Sequence, residues 1–121
     1  DRRATENRLS HKEFDIAKKV EQFMALDKVY QEASYSRMDL ARECDTTETS
    51  ISRIINAHFE KSFPQLMNEY RVKDAKQLLI ETAAPVKQIG SDVGFNSLAS
   101  FNRVFKDMVG ESPSAFRKTH K

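Results

Sequence analysis

Apolar residues recur every three or four positions along most of this chain, with polar and charged residues between them. That period places the apolar side chains on one face of an α-helix, and no segment shows the strict alternation that is typical of a half-buried strand. The pattern therefore predicts an all-α protein of about seven helices. Residues 1–12 lack the pattern, and we expect them to form a polar linker or arm ahead of one domain at residues 13–121.

Residues that favour helix ends divide the periodic region into segments. Ser36 and Ser62 are expected N-caps, since their side-chain oxygens can accept hydrogen bonds from backbone N–H groups that the first helical turn leaves free. Gly94 and Gly110 are expected to end helices, because glycine adopts the left-handed backbone at little cost. The predicted segments are a pair of helices at about 36–60, a long helix at about 62–82 and a second pair at about 85–110.

Two parts of the chain match each other at an offset of 50 residues. The matched residues are Thr47, Ser50, Ile51, Arg53, Ile54, Ile55 and Ser62 in the first part and Ser97, Ser100, Phe101, Arg103, Val104, Phe105 and Ser112 in the second. Upstream of them the offset becomes 49, so that Ala41 matches Gly90. A short helix, a tight turn and a longer helix outline a helix-turn-helix. We therefore predict two helix-turn-helix units joined by a long linking helix.

The second helix of each predicted unit carries small polar residues and one arginine on its outer face. Arg53 and Arg103 occupy matched positions, and an arginine can donate to O6 and N7 of a guanine together. The linking helix would be roughly 30 Å long at ~1.5 Å per residue, close to the about 34 Å of one turn of B-DNA. This agreement predicts a protein that binds double-stranded DNA with two recognition helices in successive major grooves.

Charge alone does not identify the partner. The chain has 20 Lys and Arg against 18 Asp and Glu, a net charge of +2, and this mild excess is below what indicates nucleic acid by itself. The basic excess lies in residues 95–121, whereas residues 39–61 lean acidic. A helical protein–protein interaction module therefore stays open as an alternative. The salt dependence of binding distinguishes these two functions. DNA binding releases counterions from the phosphates, so its affinity falls steeply as the salt concentration rises.

The sequence predicts no catalytic, cofactor or metal chemistry. Cys44 is the single cysteine, and it lacks a neighbouring base, so we expect a buried core residue rather than a nucleophile. The three histidines lack the spacing of a zinc site, and the three glycines form no phosphate-binding loop. Asp39, Glu43 and Asp92 are expected to be structural charges. No stretch reaches the roughly 20 apolar residues of a membrane-spanning helix. We therefore expect neither an enzyme nor membrane contact.

Several ordered blocks of sequence carry a resemblance to a known family. They are IGSDVGFNS at 89–97, FNRVFK at 101–106 and GESPSAFR at 110–117, together with LA at 40–41, SRIIN at 52–56 and YRVKDA at 70–75 followed by LL at 78–79. With these blocks the chain resembles the DNA-binding domain of the AraC/XylS family of bacterial transcription regulators over about residues 14–119. The resemblance implies seven helices, with recognition helices near 47–58 and 97–109. It also implies a cytoplasmic regulator with a separate upstream sensing or dimerisation domain, and RNA polymerase is a further expected partner.

The resemblance assigns DNA contacts by position to both recognition helices. Base-edge contacts are expected from Thr49, Ser52, Arg53, Leu98, Ala99, Asn102 and Arg103. Phosphate contacts, which position a protein without specifying the sequence, are expected from Asn56, Ser97, Ser100 and Lys106. The chain departs from the family at Glu48 and Glu60, which make the first unit acidic for a surface that faces phosphate. It also departs at Gly90, where alanine is usual and where glycine costs the helix roughly 0.5–1 kcal/mol.

Overall fold

The computed structural model describes residues 9–121, and within them the chain is all-α, as predicted. The helices are α1 (His11–Ala25), α2 (Arg37–Glu43), α3 (Glu48–Phe59), α4 (Phe63–Glu81), α5 (Val86–Val93), α6 (Leu98–Val109) and α7 (Pro113–His120), with a short 3₁₀ turn at Val29–Gln31. Most of the predicted arm at 1–12 lies outside the described residues, and α1 begins at His11, within that predicted arm and two residues before the predicted start of the domain at residue 13. None of the described helices has the length and apolar character needed to cross a membrane.

Side-chain caps begin the helices where the sequence predicts them. Ser36 caps α2, and its hydroxyl oxygen accepts a hydrogen bond from the Asp39 backbone N–H at 3.2 Å. Ser62 accepts from the Gln65 backbone N–H at 3.2 Å and so marks the start of α4. Each contact satisfies a backbone donor that has no partner within the helix. The predicted linking helix at about 62–82 is therefore α4.

The chain divides into two compact units. Unit 1 consists of the described part of Asp1–Val29 together with Tyr35–Leu66. In this unit α3 packs against both α1 and α2. Its core contains the buried residues Ile16, Ala17, Val20, Met24, Leu40, Ala41, Cys44, Ile51, Ile54 and Ile55. The expectation that Cys44 is a buried core residue is met, and burial raises the pKa of its thiol.

Unit 2 consists of Tyr30–Ser34 and Met67–Lys121. In this unit α6 packs against α5 and α7. Four phenylalanine rings form a continuous row in the core, with successive centroids 5.1, 5.7 and 5.5 Å apart. They are Phe95, Phe101, Phe105 and Phe116. Rings at these separations contribute beyond the area that they bury.

The segment Tyr30–Ser34 belongs to unit 2 because its backbone is bound there. Gly94 ends α5 with φ +117°, and a Cβ at this position would lie 2.1 Å from the carbonyl oxygen of Tyr30. The same oxygen accepts a hydrogen bond from Nε of Arg71 at 2.7 Å. The Tyr30 hydroxyl donates to the Asp74 carboxylate at 2.5 Å. Burial, followed by this hydrogen bond, raises the pKa of the Tyr30 phenol well above its ordinary value.

Candidate nucleic-acid interface

The two units repeat the same local structure. In unit 1 the turn between α2 and α3 contains Asp45 with φ 53°, and in unit 2 the turn between α5 and α6 contains Gly94 with φ 117°. These residues are separated by the same offset of 49 that matches the first helices in the sequence. The second helix of each unit ends on a left-handed residue, Glu60 in one and Gly110 in the other. The prediction of two helix-turn-helix units is confirmed.

In unit 2 the outer face of α6 is open to solvent. Its exposed residues include Leu98, Ala99, Asn102, Arg103 and Lys106, and Asp107 and Met108 are exposed at the end of the same helix. Phe101 and Phe105 lie on the opposite face and are fully buried, so they fix the rotation of the helix about its axis. Within residues 9–121 the Arg103 guanidinium has no hydrogen-bonding or ion-pair partner. Its five N–H donors are therefore available to an incoming acceptor.

The first turn of α6 is organised by Ser97 and Ser100, for which the family resemblance predicts phosphate contacts. Ser97 is exposed and accepts a hydrogen bond from the Ser100 backbone N–H at 3.0 Å. Its hydroxyl also donates to the Ser100 hydroxyl oxygen at 3.1 Å. Ser100 is half-buried. This arrangement orders the positive end of the helix dipole, which is suited to an anionic group.

In unit 1 the corresponding face of α3 is engaged within the protein. Arg53 forms an ion pair with Glu13 of α1. The Ser52 hydroxyl oxygen accepts a hydrogen bond from Nη1 of Arg37 at 2.8 Å, and the Asn56 amide donates to the Ser52 carbonyl at 2.9 Å. Thr49 is exposed at the start of the same face. The matched helices α3 and α6 therefore present different surfaces, although their sequences correspond.

Sequence reasoning missed two residues that contact this face of α3, namely Arg37 of α2 and Glu13 of α1. Arg37 donates through Nε to the Glu48 carboxylate at 3.3 Å, so the acidic residue that departs from the family has a cationic neighbour. Glu13 neutralises Arg53 in the same way. A serine at residue 10 followed by a glutamate at residue 13 is the sequence pattern of a capping box, and this pattern predicts that the Glu13 side chain is held at the start of α1. Its contact with Arg53 depends on how α1 packs on α3, which the pattern does not contain.

The described residues hold no cluster of three or more His, Cys, Asp or Glu side chains that is able to bind a metal ion. Several charged residues of unit 1 form ion pairs. Most pairs on the helices of unit 1 are exposed, such as Lys18 with Glu21 at 3.3 Å. A carboxylate oxygen of Glu21 also lies 2.7 Å from Nε2 of His58. This hydrogen bond is the main reason that the pKa of Glu21 is lowered.

A family model described as a helix-turn-helix domain matches residues 40–119. The chain belongs to the AraC-type helix-turn-helix family. It is 31% identical over 94 residues to the raffinose operon transcriptional regulatory protein RafR of Pediococcus pentosaceus, which covers 74% of this chain and 34% of that protein. It is 29% identical over 86 residues to the arabinose operon regulatory protein of Escherichia coli, which covers 71% of this chain and 30% of that protein. The chain thus spans about a third of these relatives.

Solved structures of domains from other regulators share this fold. The C-terminal domain of AraT, a response regulator from Geobacillus stearothermophilus, matches with a TM-score of 0.77 and 25% identity, covering 93% of this chain and 88% of that one. The DNA-binding domain of AdpA, solved in complex with a target DNA, has a TM-score of 0.77 at 21% identity. It covers 86% of this chain and 90% of that one. The second likeness establishes the fold alone.

Proposed function

We propose that this chain is the DNA-binding domain of a transcription regulator and that it recognises a specific sequence in double-stranded DNA. The outer face of α6 carries the proposal. It combines Arg103, which has no partner among residues 9–121, with the exposed amide of Asn102 and the small side chain of Ala99. A recognition helix reads bases with residues of this kind, and a small residue lets the backbone approach the groove.

The proposed contacts follow the chemistry of each side chain. Arg53, Arg103 and Asn102 are assigned to base edges that take two hydrogen bonds, and Leu98 and Ala99 to thymine methyl groups. Thr49 and Ser52 complete the set of base-contacting residues. The phosphate-contacting residues are Asn56, Ser97, Ser100 and Lys106. The residues Ser97 and Ser100 fit this role because they order the N-terminus of α6.

We further propose that α3 and α6 enter successive major grooves of one duplex. Hydroxyl-radical footprinting tests this point directly. Two protected segments whose centres are about 10 base pairs apart are expected. A single protected segment that survives deletion of either arginine side chain would contradict it.

The whole protein is proposed to be a bacterial regulator that acts in the cytoplasm, with a sensing or dimerisation domain upstream of this chain and RNA polymerase as a partner. The named roles of the relatives support this extension, because RafR and the arabinose protein are operon regulators by name. We propose no enzymatic reaction for the chain.

The test begins with the selection of bound oligonucleotides from a random pool, which supplies a site for fluorescence anisotropy. Affinity for that site should fall steeply with salt, with a slope of about −0.9 for each phosphate contact. A flat salt response would favour the alternative of a protein–protein interaction module.

Arg103→Ala is the decisive variant for the site. It should cost roughly 1–3 kcal/mol of specific affinity and relax the preference at one base position. Lys118→Ala is the matched control, since it removes one exposed positive charge from α7, outside the proposed interface. Equal affinities for the two variants would remove Arg103 from the set of base-contacting residues.

A further inference from the structure

An acidic side chain from α1 reaches the arginine that unit 1 is proposed to use on DNA. One carboxylate oxygen of Glu13 accepts a hydrogen bond from the Ser10 backbone N–H at 3.0 Å, within the capping box of α1. The other oxygen pairs with Nη2 of Arg53. The Glu13 side chain is 22% exposed and that of Arg53 is 50% exposed. The cap holds Glu13 in place, and Glu13 in turn holds the guanidinium.

The matched helix of unit 2 lacks this restraint. Arg103 stands 50 positions after Arg53, and within residues 9–121 no acidic side chain pairs with it. The two arginines therefore start from different electrostatic states. The charge of Arg103 is not balanced by any carboxylate in the described part of the chain, whereas the charge of Arg53 is balanced by Glu13.

We propose that Glu13 is a positioning residue that makes DNA binding by unit 1 selective. This inference rests on the proposed function. Glu13 engages Nη2, which carries two of the five N–H donors of the guanidinium. The second N–H of Nη2 and the N–H of its neighbour on that edge therefore remain for a base edge that needs two donors. A phosphate of arbitrary DNA must instead draw the guanidinium away from Glu13. In that exchange a phosphate replaces the Glu13 carboxylate as the partner of Arg53, and the carboxylate is left without a cation. The affinity for non-specific DNA therefore gains little from Arg53.

Glu13→Gln separates the charge from the cap. Glutamine also satisfies a capping box, so the variant removes the negative charge and retains the acceptor for the Ser10 backbone. Asp15→Asn is the matched control. It removes one negative charge from the same helix, where Asp15 is 63% exposed and faces His11 at 3.9 Å. Glu13→Asp gives a second test, because the equivalent cap of α2 uses Asp39 and the shorter side chain draws the charge away from Arg53.

The measurement is affinity for the selected site and for a scrambled duplex of equal length, across a salt series. On the scrambled duplex Glu13→Gln should bind roughly two- to fivefold more tightly than Asp15→Asn, the range that an exposed ion pair supports. Its salt slope on that duplex should steepen by about 0.9 relative to Asp15→Asn, because Arg53 gains a phosphate contact. The selected site should change less, so the ratio of the two affinities falls. In an Arg53→Ala background the effect should vanish.

Thermal unfolding establishes that each variant is folded. If Glu13→Gln and Glu13→Asp behave like Asp15→Asn on both duplexes, the inference is wrong while the proposed function stands. An effect that persists in the Arg53→Ala background also overturns it, since the charge would then act on DNA directly. A parent chain that shows no salt-dependent binding to any duplex overturns both proposals.

Discussion

Replacing Gly90 by alanine should destabilise unit 2, although alanine is the better helix former. Gly90 is buried inside α5, and a Cβ at this position would lie 2.6 Å from Cδ2, 2.9 Å from Cγ and 3.1 Å from Cβ of Phe101. Ordinary carbon contacts are about 3.5–4.0 Å. The Phe101 ring is fully buried between Phe95 and Phe105, at centroid distances of 5.1 and 5.7 Å. A shift of the ring would therefore disturb its contacts with these neighbouring rings.

Two opposing effects decide the magnitude. Alanine gains roughly 0.5–1 kcal/mol over glycine inside a helix, while adding a methyl group to a filled core costs roughly 1–3 kcal/mol. The net expectation is a loss of about 0.5–2 kcal/mol in the free energy of unfolding. The family's usual alanine at this position does not suit this chain, because Phe101 occupies the space.

Urea unfolding followed by circular dichroism measures this loss. Ser91→Ala, at the exposed neighbouring position of α5, is the control for helix propensity and should leave stability unchanged or slightly raised. In a Phe101→Ala background, Gly90→Ala should cost less than in the parent, since Cδ2 and Cγ of Phe101, the two nearest atoms, are absent. A Gly90→Ala variant as stable as the parent would refute the steric argument.

Three further changes test the fold. Glu60→Gly should raise stability by about 1 kcal/mol, because Glu60 holds φ 59° where the matched Gly110 needs no such strain; a lower melting temperature would contradict this. Phe101→Ala should cost roughly 3–5 kcal/mol as a buried aromatic, and an unchanged melting curve would show that the ring contributes little. The hydrogen bond with His58 lowers the pKa of Glu21 below its ordinary 4.5. The stability that the ionised Glu21 contributes is therefore fully present above about pH 4.5 and is lost as the pH falls through the lowered pKa of Glu21. Denaturation at about pH 3 to 7 should show a smaller acid loss for Glu21→Gln than for the parent.

Much of the architecture could be read from local signals. Ser36 and Ser62 mark helix starts because a cap involves residues three positions apart, and such contacts are written in consecutive sequence. Gly94 and Gly110 mark helix ends for the same reason. The internal match that relates Arg53 to Arg103 then predicted two equivalent units, and the structure has them.

The differences between the two units were decided by tertiary packing. Glu13 pairs with Arg53 because α1 packs against α3. Arg37 pairs with Glu48 because α2 also packs against α3. The 3₁₀ turn after α1 joins unit 2 through the contact of Tyr30 with Asp74, 44 positions away. The sequence by itself determined where helices begin and end and which of their faces are apolar, since these depend on near neighbours. Which charges are paired depends on residues brought together by folding. For that reason, among the residues that the structure describes, the matched helices α3 and α6 present one arginine with an ion-pair partner and one without.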